Sequence, residues 1–316
     1  RSQICKQQYE ESKKELTRSL LRTAWPIIVG TAVFSMTNLI DIGMVMRILT
    51  ASGYSESEAT VLYGQLSGKY VTLTTLPVAI SSSIATAVLP SIAASNRLGE
   101  KKQIKRKMNL TMRISMIISV PAAVGIGVLG PQIIAMLFPD APDGGILLTI
   151  GSVSIIFLAL CQTATGILQG IGHIKVPVVG AVLGAIMKVI LNALLIPIPS
   201  LNVIGAVLST TGCYLVASIF NVYMLSKLTH VRFDFNRILW KPCIGSLIMG
   251  LGAFGIYKGF YLLLPNNTVC TLTAIVLAIF IYGIVMLLIR GIQEEDLESI
   301  PMGRKLIRLC KKAHML

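Results

Sequence analysis

Charged residues make up only 13% of this 316-residue sequence, about half the share usual in a soluble domain, while 54% of it is hydrophobic. Such a chain has too little polar surface to shield its apolar bulk from water, which excludes an ordinary soluble domain. Histidine is scarcer still. His173, His230 and His314 all fall in segments read below as cytoplasmic, which argues against a histidine-built catalytic or metal centre. Cysteine is present six times, at Cys5, Cys161, Cys213, Cys243, Cys270 and Cys310, but without CxxC or other ligand spacing, so neither a disulfide framework nor a zinc site follows. The sequence also lacks an initiator Met and a cleavable signal. Its charged opening, "RSQICKQQYEESKKELTRSLLRTAW", reads as a cut from something longer.

What the sequence has is apolar runs. About 20 such residues cross the ~30 Å hydrocarbon layer as a helix. Eight runs predict eight transmembrane helices, over 24–48, 66–94, 112–137, 146–170, 176–197, 203–226, 241–264 and 268–290. The expected fold class is all-α, a polytopic membrane helical bundle with no room for a soluble domain between spans. The net charge of +14 is then a matter of topology rather than of nucleic acid. Lys and Arg crowd the first tail (Arg1, Lys6, Lys13, Lys14, Arg18, Arg22) and a loop over 95–113 (Arg97, Lys101, Lys102, Lys105, Arg106, Lys107, Arg113). They recur at Lys175, at Lys227, Arg232, Arg237 and Lys241, and throughout the C-terminal tail. The opposite connections, near 50–62, 138–145, 198–202 and 265–267, contain none, but do contain Glu56, Glu58, Asp140 and Asp143. Both termini are therefore expected in the cytoplasm, with the chain in the cell membrane among membrane lipids and with no nucleic-acid partner.

Residues 1–23 read as an amphipathic helix on the cytoplasmic surface, with Ser12 and Glu15 at capping-box spacing and Leu16, Leu20 and Leu21 facing lipid, or else as a solvated linker. The acids Glu294, Glu295, Asp296 and Glu298 read as solvated in the tail. Within the spans, polar and small residues fall on stripes: Gly180, Gly184, Lys188 and Asn192; Gly205, Ser209, Cys213, Ala217 and Asn221; Thr31, Ser35, Asn38 and Asp41. Such faces belong against other helices or a watery cavity, not lipid. Pro77, Pro121 and Pro131 mark kink or hinge points.

Two stretches, "LYGQLSGKYVTLTTLPVAISSSIATAVLPSIAAS" and "ATGILQGIGHIKVPVVGAVLGAIMKVILNALLIP", carry a family resemblance, as does "NVIGAVLSTTGCYLVASIFN". Together they resemble the stage V sporulation protein B group of polysaccharide and lipid-linked oligosaccharide flippases, relatives of the lipid II flippase within the MATE-like MOP superfamily. The resemblance implies a fold of fourteen spans, two six-helix lobes and an extra C-terminal pair. It assigns 1–23 to the cytoplasmic linker between lobes, 24–230 to the second lobe, 231–290 to the extra pair and 291–316 to a cytoplasmic tail. An N-terminal lobe of the same protein is then the missing partner. One departure is local: where the lipid II flippases carry an Arg just before the first Leu-Pro pair, this chain has Thr72, and Lys69 is the nearest cation.

The function so implied is that of a flippase rather than an enzyme, with no cofactor. It would move a polyprenyl-pyrophosphate-linked saccharide, such as a peptidoglycan or polysaccharide precursor for cell wall biogenesis, by alternating access. The alternative is a cation-coupled multidrug exporter of the MATE type, for which Asp41 is the candidate carboxylate. Intramembrane cations outnumber that carboxylate, which favours an anionic substrate. The candidate substrate-binding residues are Lys188, Lys69 and Arg47 as cavity cations, with Asp41, Asn38 and Asn192 as polar lining. Two assignments stay open. Lys188 either faces a hydrated cavity or pairs with Asp41, and Arg47 either lines the cavity or snorkels to headgroups. Lys258, beside Tyr257, Phe260 and Tyr261, reads as an interfacial anchor.

Overall fold

The computed structural model describes residues 13–231 and 233–291. The first part of the expected linker, over 1–12, and nearly all of the tail with its acids lie outside the described residues. The rest is helical, and among the described residues there is no strand. The elements are α1 (Lys13–Ala51), α2 (Glu56–Gly64), α3 (Thr72–Arg97), α4 (Lys101–Leu137), α5 (Gly145–Gly151), α6 (Ser154–Gly170), α7 (Lys175–Leu195), α8 (Val203–Thr229), α9 (Lys241–Leu263) and α10 (Asn267–Leu288). Alpha-helix α2 runs into α3 through a π-helical segment, Gln65–Val71, and a second, Asn236–Trp240, leads into α9. Among the described residues, six helical stretches are long and apolar enough to cross a membrane, or seven if the bent pair α5–α6 is one span. The remaining expected run, 24–48, lies within the 39-residue α1.

Two sequence expectations change. The basic stretch over 95–113 is no loop: the turn is confined to Leu98–Glu100, with Gly99 at φ +69°, and helix resumes at Lys101. Lys, Arg and Gln favour helix, and Ile104 and Met108 give this basic segment a buried apolar edge. At 37 residues α4 is ~55 Å long, well beyond the hydrocarbon thickness. The second change is in the run 146–170, which bends by 52° between α5 and α6. Gly151 sits at that break, where a Cβ would overlap the Tyr70 ring. The Tyr70 hydroxyl and Ser154 Oγ share a buried hydrogen bond of 2.9 Å, and Ser152 Oγ donates to Thr149 O at 3.0 Å. The hinge at Pro131 takes the form of a non-helical Leu129 (φ −106°, ψ 16°), whereas α3 stays helical through Pro77 and Pro90.

Side chains on α3, α4, α6 and α8 form the core, which holds hydroxyl pairs as well as apolar contacts. Ser119 Oγ donates to Ser81 Oγ at 3.2 Å and Thr163 Oγ1 to Ser115 Oγ at 2.8 Å, so these four buried hydroxyls have partners that lipid would not supply. Helices α9 and α10 pack on each other and on α4. Polar ties there include Tyr282 Oη donating to Ile117 O at 2.9 Å and Asn267 Nδ2 donating to Gln132 O at 3.1 Å.

Candidate functional site

The small-residue stripes bury as their chemistry requires. Pro177, Gly180, Gly184, Lys188 and Asn192 of α7 all face inward, and Gly205, Ser209, Cys213, Ala217 and Asn221 of α8 are buried as well. A Cβ on Gly184 would lie 2.8 Å from Cys213 O, so the two backbones meet where a side chain is missing. The outward face of α7, with Val179, Val182, Leu183, Ile186, Val189, Ile190 and Leu194 exposed, is wholly apolar.

Near the middle of α7 this inward stripe meets α1. Lys188 Nζ donates to Asp41 Oδ2 at 2.7 Å, and Asn192 Nδ2 donates to Asp41 Oδ1 at 3.2 Å. The Lys188 and Asp41 side chains are 2% and 8% exposed. A lysine at a span centre costs about 2.5–3.5 kcal/mol on insertion scales, and a carboxylate held in line offsets that cost. One turn along α7 places Lys188 and Asn192 on one face, so each reaches a different oxygen of the same carboxylate. The result is a closed polar clasp between α1 and α7.

Of the six candidate residues, the structure brings Asp41, Lys188 and Asn192 together. It leaves Asn38 and Arg47 exposed on α1. Lys69 goes elsewhere: its Nζ donates to Ala141 O at 2.5 Å and Asp143 O at 2.9 Å and lies 5.2 Å from the Phe138 ring centroid. It ties the π-helical segment to the connection after α4. Of the two readings left open for Lys188, its contacts are those of the Asp41 pair, and the ammonium of Lys69 is held by two backbone carbonyls. Among the described residues no three His, Cys, Asp or Glu side chains gather as metal ligands would.

Two exposed faces differ from the apolar outside of α7. Along α3, Thr72, Thr75, Ala79, Ser83 and Thr86 are exposed on one stripe, and Thr75, Ser83 and Thr86 donate to carbonyls of their own helix at 2.7–2.9 Å. On α1, Ser35, Asn38 and Arg47 are exposed. Beside the α3 stripe, between α3, α4, α9 and α10, runs an apolar cleft of ≈470 Å³ whose walls include Leu76, Pro77, Ile117, Leu129, Met249 and Tyr282. The sequence could not reveal this cleft, because its walls come from five separated helices, α5 adding Leu148.

Comparison with known proteins agrees with this architecture. The family described as Lipid II flippase MurJ matches residues 4–280. The chain is 28% identical over 308 residues to the "Uncharacterized membrane protein YabM" of Bacillus subtilis (strain 168), covering 95% of this chain and 56% of that one. It is 23% identical over 303 residues to the "Stage V sporulation protein B" of the same organism, covering 93% of this chain and 57% of the relative. The solved structure "Lipid II flippase MurJ, inward closed conformation" superposes with a TM-score of 0.65 at 20% identity, over 89% of this chain and 56% of the other. The chain thus spans about half the length of the curated relatives it matches. The family match over residues 4–280, most of the chain, makes this chain a member of the lipid II flippase MurJ family.

Proposed function

We propose that this chain is the second half of a flippase that moves a polyprenyl-pyrophosphate-linked saccharide across the cytoplasmic membrane by alternating access. The observation that carries the reading is the contrast between exposed faces. Those of α1 and α3 hold Ser35, Asn38, Arg47, Thr72, Thr75, Ser83 and Thr86, whereas that of α7 is wholly apolar. A hydroxyl- and amide-bearing face is poorly suited to lipid and well suited to a hydrated path for sugars. The apolar cleft beside the α3 stripe suits a prenyl chain held in lipid-like surroundings.

In this reading α1 supplies the eighth span and both termini are cytoplasmic. Residues 24–230 form a six-helix lobe, 231–290 an additional pair, and a further six-helix lobe of the same protein closes the path from the other side. Asn38 faces the headgroup directly, and Arg47, nine residues on and half a turn round α1, meets it only at the outer end of the path. Asp41, Lys188 and Asn192 position α1 from behind, and Lys69 shapes the outer end. The exporter alternative loses its coupling group. Asp41 is the carboxylate deepest within the described spans, and its two oxygens are taken by Lys188 and Asn192. The test is complementation. The complete natural chain, expressed in bacteria depleted of their own lipid II flippase, restores growth, and Arg47→Gln reduces that rescue. Failure to restore growth, together with new resistance to organic cations, would sink the flippase reading in favour of the exporter.

A further inference from the structure

A second groove lies away from the α1 and α3 faces, between α6, α8 and the segment that follows α8. It encloses ≈580 Å³, and its walls include Phe157, Leu160, Ile219, Tyr223, Phe233 and Phe235. Ser226 Oγ donates to Val231 O at 2.9 Å and holds the connecting segment against the helix. The groove has two different ends. Its deep end is at Ser218, opposite Phe157 and Leu160, and it is apolar. Its shallow end carries exposed Lys227, one turn beyond Tyr223 on α8. Arg237 is also at this end, but its Nε lies 3.3 Å from Asp234 Oδ2, so among the described residues here Lys227 supplies the net charge. Exposed Tyr223 (61%), Phe235 (53%) and Trp240 (64%) mark the same end as a membrane–water interface, where amphipathic rings gather. From Lys227 to Ser218 is nine residues, so the groove descends ~14 Å from the headgroup level into the hydrocarbon.

We infer that this groove is a binding site for an anionic phospholipid of the leaflet that Lys227 faces, with one acyl chain between Phe157, Ile219 and Phe233 and the phosphate at Lys227. Lipid is the solvent at this depth, the aromatic walls fit a chain, and the rim matches a negative headgroup. The site is separate from the path proposed for the substrate. It takes the Lys227 end of α8 as the cytoplasmic end, an orientation read independently by thiol labelling of the loops.

The test is photo-crosslinking of the complete natural chain in vesicles. Two probes are compared, phosphatidylglycerol and phosphatidylcholine, each with a diazirine partway along one acyl chain. The phosphatidylglycerol probe labels residues 157–160 and 218–226 about five-fold more than the phosphatidylcholine probe does, the preference expected of one lysine near an anionic headgroup. Both probes label the apolar face of α10 equally. Lys227→Gln removes the preference without reducing chain labelling, and Ile219→Trp, at an exposed position that tolerates bulk, blocks groove labelling by both probes. Equal labelling of the groove by the two probes in the parent protein overturns the inference. So does a preference unchanged by Lys227→Gln, or recovery of groove residues crosslinked to a second copy of the chain in place of lipid.

Discussion

At the scale of single residues, the clasp between Asp41 and Lys188 defines what can be removed and what cannot. Lys188→Gln leaves a carboxylate buried without its cation, and losing one member of a buried pair costs about 3–5 kcal/mol. Asp41→Asn combined with Lys188→Gln leaves two neutral amides at the same junction and recovers most of that loss. Thermal unfolding of the parent and the two variants in detergent reads the difference, and a double variant no more stable than the single one would contradict the pairing. A substrate assay on the same proteins separates positioning from binding: in a positioning role, activity follows stability through the series. This pair was legible in the sequence as one of two readings, because Asp41 is the one carboxylate deep in any expected span, so a lysine at similar depth had one possible protein counter-ion there. Lys69 was not legible. Its partners are backbone carbonyls more than 70 positions away, and a carbonyl leaves no mark in a sequence.

At the scale of elements, the apolar runs and small-residue stripes carried most of the information, and the breaks carried least. Five of the eight expected runs, 146–170, 176–197, 203–226, 241–264 and 268–290, have both ends within a few residues of helix ends, because hydrocarbon thickness and loop chemistry both bound a span. Where nothing stops the helix, as at Lys101–Met112, it continues into water and the composition misleads. The bend at Gly151 depends on Tyr70 and Val207 arriving from other helices, which no local pattern encodes. The stripe on α7 gives the sharpest element-scale prediction. Gly184→Leu forces α7 away from the Cys213 carbonyl of α8 and costs about 1–3 kcal/mol, seen as a lower unfolding midpoint. Val182→Leu, on the exposed face of the same helix, changes it little. Equal effects at the two positions would mean that α7 and α8 do not meet at this seam.

For the whole molecule, orientation follows from charge, and it is checked without any functional assay. In intact cells, an impermeant thiol reagent applied from outside modifies a cysteine placed at Asp143, in the acidic connection before α5, and leaves one at Gln103 untouched until the membrane is opened. The reverse pattern would invert the bundle. The Asp41–Lys188 clasp also has a consequence in time. Its two members are 147 positions apart, so at a synthesis rate of about 5–20 residues per second α1 enters the membrane roughly 7–30 s before α7 brings its lysine. Throughout that interval Asp41 lacks the lysine it pairs with in the finished bundle. Helix α1 must therefore wait at the insertion machinery, or sit shallow with Asp41 near water, until α7 arrives, and only then can the clasp close.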